Sequence, residues 1–202
     1  MSQPSPRASE TIAEYLVDTR AALESLPLEQ IESVIDELHQ TYVRGRQVLV
    51  VGNGGSAATA SHLACDLGKT ILGRPVNVGI RPFKVVSLAD NMALITAWAN
   101  DFNFDEVFAQ QLKMLGQPDD LLVVITGSGN SPNVVAAVKV AQQLGMRSVG
   151  LLGFDGGQVK AMLDRYILVN SNHYGHVEDL HMLLVHLITA HFSRVLRSGA
   201  GL

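Results

Sequence analysis

The sequence predicts an α/β fold, a three-layer sandwich in which helices flank a five-stranded parallel sheet. Short apolar runs alternate with stretches of helical periodicity, a pattern typical of doubly wound parallel sheets. The 202 residues suffice for one domain with a full three-layer core. A 47% hydrophobic and 17% charged composition favours a compact globular chain. The predicted strands are Val48 to Val51, Phe83 to Leu88, Leu121 to Ile125, Ser148 to Leu152 and Tyr166 to Val169.

The helices are predicted from apolar residues at helical spacing and from local start and stop signals. Ser9 is expected to cap the first helix, and Gly45 is expected to end the second. Asp90 is expected to cap a short helix through Trp98, and the segment Asn100-Asp101-Phe102 is expected to break it. The remaining predicted helices run from Ala57 to Lys69, Phe104 to Leu115, Val134 to Leu144 and His176 to Leu196.

Residues 9–197 are expected to form a single domain, with flexible tails at residues 1–8 and 198–202. The single cysteine, Cys65, has no internal partner for a disulfide, which fits a reducing cytoplasm. No apolar run has membrane-spanning length, so a soluble protein without membrane contact is expected. A net charge of −4 without a basic run argues against direct nucleic-acid binding.

Two predicted strands run directly into loops rich in glycine and hydroxyl groups, at Gly52 to Ser56 and at Thr126 to Ser131. Ligands of open parallel sheets bind beyond the carboxyl ends of the strands, so both loops are expected at one edge. Each loop opens a helix, whose free amides and dipole attract an anion. The sequence therefore predicts an anion site here, and the second loop is best explained by a monophosphate.

Two other interpretations of these loops remain. Gly52 to Ala57 satisfies the loose dinucleotide pattern G-x-G-x-x-A. That site needs an acidic residue about 20 positions on, at the end of the second strand. Asp90 follows that strand but lies much farther away, so no nucleotide cofactor is expected. The second interpretation is that both loops are structural turns that cap helices.

The motifs GNGGSAATASHLACDL, AWANDFNF and TGSGNSPNV, with a C-terminal helix that carries histidine, resemble the SIS (sugar isomerase) domain family. Within it, the chain is similar to the phosphoheptose isomerase branch over almost its whole length. The resemblance implies the SIS fold, which is flavodoxin- or Rossmann-like. It also implies a homotetramer with active sites at subunit interfaces.

The implied reaction interconverts sedoheptulose 7-phosphate and D-glycero-D-manno-heptose 7-phosphate through an enediol. The resemblance makes Asp66 and His186 the acid–base pair, and His62, Asp66, Glu178 and His186 the ligands of one Zn²⁺ per subunit in some members. The substrate-binding residues that it implies, together with the loop residues above, are Asn53, Gly54, Gly55, Ser56, Asn100, Asp101, Thr126, Gly127, Ser128, Ser131 and Glu178.

The chain departs from the family twice. Asp66 is one methylene shorter than the expected glutamate, and Glu178 stands where the family usually has glutamine. A carboxylate that falls about 1 Å short of its substrate can cost on the order of a hundredfold in rate. The sequence leaves open whether Glu178 joins the metal ligands or acts on Asp66 through its charge.

A second function class follows from these departures. In this alternative the chain is a noncatalytic SIS scaffold that binds a sugar phosphate or the replication initiator protein. Without the resemblance, His62 and Asp66 are read as a solvated i, i+4 pair on a helix surface. The other histidines of the C-terminal region are expected at surfaces or subunit contacts: His173, His176, His181 and His191.

Overall fold

Five parallel strands form the central sheet of the computed structural model, which describes residues 7–198. The strands are Gln47–Val51 (β1), Lys84–Ser87 (β2), Leu121–Thr126 (β3), Arg147–Leu152 (β4) and Arg165–Leu168 (β5). Their spatial order is β2-β1-β3-β4-β5, with Val48 of β1 opposite Leu121 of β3. This is the flavodoxin-like order of doubly wound sheets. The predicted fold class is confirmed.

The described residues contain eight α-helices, and none of these is long and apolar enough to cross a membrane. The helices are Ala8–Glu24 (α1), Leu28–Val43 (α2), Gly55–Gly68 (α3), Met92–Asp101 (α4), Val107–Leu115 (α5), Pro132–Gln143 (α6), Gly157–Lys160 (α7) and Tyr174–Ser198 (α8). Two single 3-10 turns lie at Thr70–Leu72 and Phe104–Glu106.

The sheet carries a hydrophobic core on each face because successive side chains of a strand point to opposite sides. In β1, Val48 and Val50 pack into one core, and Leu49 and Val51 pack into the other. The first core lies beneath α2, α3 and α8, and the second beneath α5 and α6. Every residue of β3 is buried, which explains its uninterrupted apolar run in the sequence.

Two predicted helix caps are wrong. Ser9 lies inside α1, and the residue before the helix is Arg7, whose backbone N–H donates to the Glu10 carboxylate. Asn91 rather than Asp90 caps α4, because its side-chain oxygen accepts the backbone N–H of the third helical residue. The Asp90 carboxylate instead accepts a hydrogen bond from a serine of α3.

The end of α4 at Asp101 lies within the break predicted at residues 100–102, three residues beyond the predicted last helical residue, Trp98. The predicted tails lie mostly outside the described residues, at residues 1–6 and 199–202. Within the described part of the chain, α1 begins at residue 8 and α8 ends at residue 198, one position beyond each predicted limit of the domain.

His176 and His181 are buried, contrary to the predicted surface position. Neither ring nitrogen of His181 has a hydrogen-bond partner among residues 7–198. Burial lowers the pKa of His181 to about 4. Imidazole in the unfolded chain titrates near 6.5. Neutral His181 therefore stabilises the fold above pH 6.5, and this contribution is lost as the pH falls towards 4.

Candidate active site

The two glycine-rich loops meet at the carboxyl edge of the sheet, where β1 and β3 lie side by side. The chain leaves β1 towards α3 on one face of the sheet and leaves β3 towards α6 on the other. This divergence is the topological switch point, at which open α/β sheets bind their ligands. The predicted meeting of the two loops is confirmed.

The first loop places the start of α3 against a carboxylate of the chain itself. A Cβ built on Gly55 would lie 2.8 to 2.9 Å from the carboxylate atoms of Glu178 on α8. Only glycine allows this approach without displacing Glu178. A negative charge is stabilised at a helix N-terminus by the free amides and the dipole. The Glu178 carboxylate therefore lies close to the start of α3 at the first loop.

A reciprocal amide pair joins the first loop to α6. The Nδ2 of Asn53 donates to Oδ1 of Asn133, and the Nδ2 of Asn133 donates to Oδ1 of Asn53, both at 2.8 Å. Asn53 is half-buried and Asn133 is buried. The resemblance implies that Asn53 contacts the sugar chain. In this structure, however, its side chain uses one amide hydrogen and one oxygen lone pair to bind Asn133. Its first role is to hold the two loops together.

The second loop is preorganised by its own hydroxyl groups. Thr126 accepts a hydrogen bond from the Gly129 amide through its Oγ1, and Ser128 accepts one from the Asn130 amide through its Oγ. Ser131 is the N-cap residue of α6, and its side chain makes no capping hydrogen bond. A loop of this kind offers backbone amides and hydroxyls around a phosphate without a cationic side chain.

Residues 153–159 brace the second loop from behind. Gly129 has a φ of +65°, and a Cβ on it would lie 2.0 Å from the carbonyl oxygen of Gly156. The Val159 amide donates to the Gly129 carbonyl, and the Gln158 amide donates to Oδ1 of Asn130. The sequence analysis did not assign a function to this segment, although its glycine-rich stretch after β4 was the available signal.

A cavity of about 130 Å³ lies between the two loops and the start of α8. No Lys, Arg or His is among the described residues that line it. From α8, Tyr174 and Glu178 line the cavity. The loops and β3 contribute Asn53, Ser56, Ile125, Thr126, Gly127, Ser128 and Ser131. Apart from Gly54, Gly55 and the α4 pair Asn100 and Asp101, the predicted substrate-binding residues thus surround one space.

A second cluster lies farther along α3 and α8. The Nε2 atoms of His62 and His186 are 3.1 Å apart, and Nε2 of His62 is 3.4 Å from Oδ2 of Asp66. Asp66 is buried and the two histidines are exposed. The hydroxyl of Thr189 lies 3.2 Å from Oδ2 of Asp66 and 2.8 Å from the Val185 carbonyl. A buried carboxylate beside two imidazoles is suited to proton transfer.

The donor atoms of His62, Asp66 and His186 all lie within 4.8 Å of one another. Ligand atoms about 2.0 to 2.1 Å from a tetrahedral zinc lie about 3.3 to 3.4 Å apart. The two measured separations, 3.1 and 3.4 Å, are close to that value. Two imidazoles and one carboxylate are also a ligand set that zinc accepts. These three residues therefore fit a metal with one coordination position left for another ligand.

Glu178 does not belong to this group of three. It precedes His186 by eight residues, or about 12 Å along the axis of α8, and its carboxylate lies against Gly55. The predicted four-residue metal set is therefore reduced to three in this structure. The structure places Glu178 in the cavity, which is the other position predicted for it.

Asn100 and Asp101 lie at the exposed end of α4, where the Asn100 amide donates to the Asp101 carboxylate at 2.8 Å. Neither residue lines the cavity of its own chain. Two residues of the site, Asn133 and Thr189, were not predicted from the sequence. Asn133 had a signal, since it lies within the second glycine-loop motif, whereas Thr189 lies in a helix without any distinguishing pattern.

Residues 13–153 match the family model described as the SIS domain. Over 156 residues, the chain is 40% identical to the phosphoheptose isomerase of Nitratidesulfovibrio vulgaris, an alignment that covers 75% of this chain and 72% of that protein. Identity to the probable phosphoheptose isomerase of Thermoplasma acidophilum is 33% over 176 residues, which are 87% and 94% of the two chains.

The fold agrees with a solved relative. The structure of a phosphoheptose isomerase from Neisseria gonorrhoeae superposes with a TM-score of 0.85 at 31% sequence identity. The match covers 94% of this chain and 100% of that one. The cavity at the switch point and the neighbouring His–Asp–His group thus belong to a chain that is a member of the SIS domain family and is related to its phosphoheptose isomerases.

Proposed function

We propose that this protein is a phosphosugar aldose–ketose isomerase that interconverts sedoheptulose 7-phosphate and D-glycero-D-manno-heptose 7-phosphate. A base removes a proton from the carbon next to the carbonyl, an enediol forms, and the proton returns to the neighbouring carbon. A second group moves a proton between the two oxygens, so that the substrate and the product have the same composition.

The observation that carries this proposal is the spacing between the cavity and the His–Asp–His group. His62 follows Gly55 by seven residues of α3, about 10 Å along the helix axis, and His186 follows Glu178 by about 12 Å on α8. An extended seven-carbon chain with a terminal phosphate spans about 10 Å, given carbon–carbon bonds of about 1.5 Å. In this proposal the phosphate lies at the second loop, and the carbon chain extends along α3 and α8 towards Asp66 and His186.

In this proposal Asp66 is the base and His186 exchanges protons with the sugar oxygens. The hydroxyl of Thr189 and the ring of His62 both contact Oδ2 of Asp66, at 3.2 and 3.4 Å. This support compensates for the missing methylene by fixing the direction of the shorter side chain.

We infer that one zinc ion per subunit is held by His62, Asp66 and His186. Bound there, the ion would supply Lewis-acid polarisation of the sugar oxygens at C1 and C2. The donor types and the spacing of the three side chains support this assignment. Asp66 would help to hold the ion in addition to its proposed role as the base.

We further propose a cytoplasmic homotetramer in which neighbouring subunits complete each site. Exposed apolar side chains on α1, among them Ile12, Leu16 and Val17, support burial against another subunit. Asn100 and Asp101 then serve the cavity of a neighbour, since they do not line their own. The cytoplasmic location rests on the single cysteine.

The test is an NMR assay with sedoheptulose 7-phosphate that follows the aldose product, on metal-stripped and on zinc-supplemented protein. The variants are Asp66→Asn and His186→Ala, with His191→Ala as the matched control because His191 is exposed on the same helix. We expect loss of product in both site variants and retention in the control. No product from the wild type, with or without zinc, would contradict the proposal and favour the scaffold alternative.

A further inference from the structure

Tyr174, the first residue of α8, presents an aromatic ring to a cavity with mostly polar walls. The residue is 57% exposed although it lines that cavity. Within residues 7–198 its hydroxyl has no hydrogen-bond partner. An exposed aromatic ring in a ligand cavity offers apolar contact area at a small entropic cost, since tyrosine has only two rotatable side-chain bonds.

Two neighbours fix the position of the ring. The ring of Phe154 packs on it with a centroid distance of 4.7 Å and an interplanar angle of 59°. Two ring carbons lie 3.0 and 3.1 Å from the position that a Cβ on Gly127 would occupy. The glycine at 127 therefore makes room for the ring directly above the second loop. The wall is held in place before any ligand arrives, which lowers the entropic cost of binding.

Glu178 lies one helical turn beyond Tyr174, so both side chains project from the same face of α8 into the cavity. An ionised carboxylate only accepts hydrogen bonds, and its partners must be donors such as sugar hydroxyls. A polyhydroxylated carbon chain presents hydroxyls along one edge and C–H groups along another. The carboxylate and the ring match these two edges, next to a loop that suits phosphate.

We propose that Tyr174 is a specificity-determining residue, which contacts the carbon chain between the phosphate and the reacting carbons while Glu178 accepts its hydroxyls. This inference rests on the proposed isomerase function. It assigns the ring, rather than the hydroxyl, to the sugar. It predicts selection of long sugar phosphates over inorganic phosphate and over short ones.

The experiment compares the kinetics of Tyr174→Ala and Tyr174→Phe with those of the wild type. The two readouts are KM and kcat for sedoheptulose 7-phosphate and the competitive inhibition constant of inorganic phosphate. We expect Tyr174→Ala to raise KM about tenfold or more. The kcat should stay within about threefold, since the ring touches no reacting atom. Tyr174→Phe should resemble the wild type, and inorganic phosphate should inhibit all three within about twofold.

Gly127→Ala provides an independent perturbation, because the new methyl group displaces the ring without removing it. This variant should also raise KM, and the double variant should have the same KM as Tyr174→Ala alone, because Gly127→Ala then has no ring to displace. Circular dichroism of each variant checks that the fold is retained.

Several results would overturn the inference. An unchanged KM in Tyr174→Ala would show that the ring does not contact the substrate. An equal rise of KM in Tyr174→Phe would show that the hydroxyl makes the contact. If Tyr174→Ala weakens inhibition by inorganic phosphate as much as it raises KM for the sugar phosphate, the ring only supports the second loop.

Calorimetry with five-, six- and seven-carbon sugar phosphates separates this inference from the proposed reaction. If the wild type binds one of these sugar phosphates but does not convert it, the isomerase proposal fails. The inference about Tyr174 then still requires that Tyr174→Ala lower the affinity for that sugar phosphate more than the affinity for inorganic phosphate. If no sugar phosphate binds the wild type more tightly than inorganic phosphate does, the inference about Tyr174 is wrong.

Discussion

Removal of either member of the Asn53–Asn133 pair should destabilise the protein, and the two losses should be unequal. The pair contains two hydrogen bonds of 2.8 Å between loops that lie 80 residues apart in the chain. Each hydrogen bond contributes about 1 kcal/mol, and a buried polar group without a partner costs about 1 to 3 kcal/mol. Asn53→Ala leaves the amide of Asn133 buried and unpaired. Asn133→Ala leaves the half-buried Asn53, which water reaches from the cavity.

We therefore expect Asn53→Ala to lower the free energy of unfolding by about 3 kcal/mol and Asn133→Ala by about 2 kcal/mol. The double variant should lose less than the sum, with a coupling energy of about 1 to 2 kcal/mol. Each variant should also raise KM for the sugar phosphate, since the pair aligns the two loops that form the cavity.

The assay is urea unfolding at one fixed protein concentration, because the stability of an oligomer depends on concentration. Asn172→Ala is the matched control: this amide is exposed, and its loss should change the free energy of unfolding by less than about 0.5 kcal/mol. Additive effects, with a coupling below about 0.5 kcal/mol, would refute the reasoning. If Asn53→Ala lowers the free energy of unfolding less than Asn133→Ala does, the amide of Asn133 is not the costlier one to leave unpaired, and this part of the reasoning is refuted.

Three further predictions concern single positions. The free energy of unfolding of the wild type should fall by about 3 kcal/mol as the pH falls from 6.5 towards 4, and His181→Leu should abolish this fall. Urea unfolding at several pH values measures it. Equal pH dependence in both proteins would contradict the prediction. Gly129→Ala should prevent phosphate binding or folding, because the new Cβ would overlap the Gly156 carbonyl and the φ of this residue is positive. Calorimetry with inorganic phosphate tests binding, and circular dichroism tests folding. Binding of phosphate at wild-type affinity would contradict the prediction and show that the loop adapts. Thr189→Val should lower kcat about tenfold with little change in KM, because valine keeps the volume of the side chain but removes the hydroxyl that contacts Asp66. Thr189→Ser should restore the rate. A rise in KM alone would show that Thr189 does not act in the proton transfer.

The sequence by itself determined the order of the strands along the chain and the position of the two loops that line the cavity. Each of these features is local. An apolar run such as Leu121–Thr126 is buried on both faces of the sheet, and a parallel strand of this kind has a continuous apolar pattern. A turn rich in glycine and hydroxyl groups directly after such a run indicates where a helix begins. Helix ends were less accurately predicted, since Asp90 and Asn91 are both good caps and only tertiary contacts select one.

Only the tertiary structure decided which side chains meet. Asn53 forms hydrogen bonds with Asn133, which lies 80 residues away in the chain, and the Glu178 carboxylate of α8 lies against Gly55 at the start of α3. The same packing separates Glu178 from His186 along α8, so that one residue serves the cavity and the other serves the His–Asp–His group. Local patterns determine what a segment forms, whereas contacts between distant segments depend on how the helices pack on the sheet, and no local pattern encodes that packing.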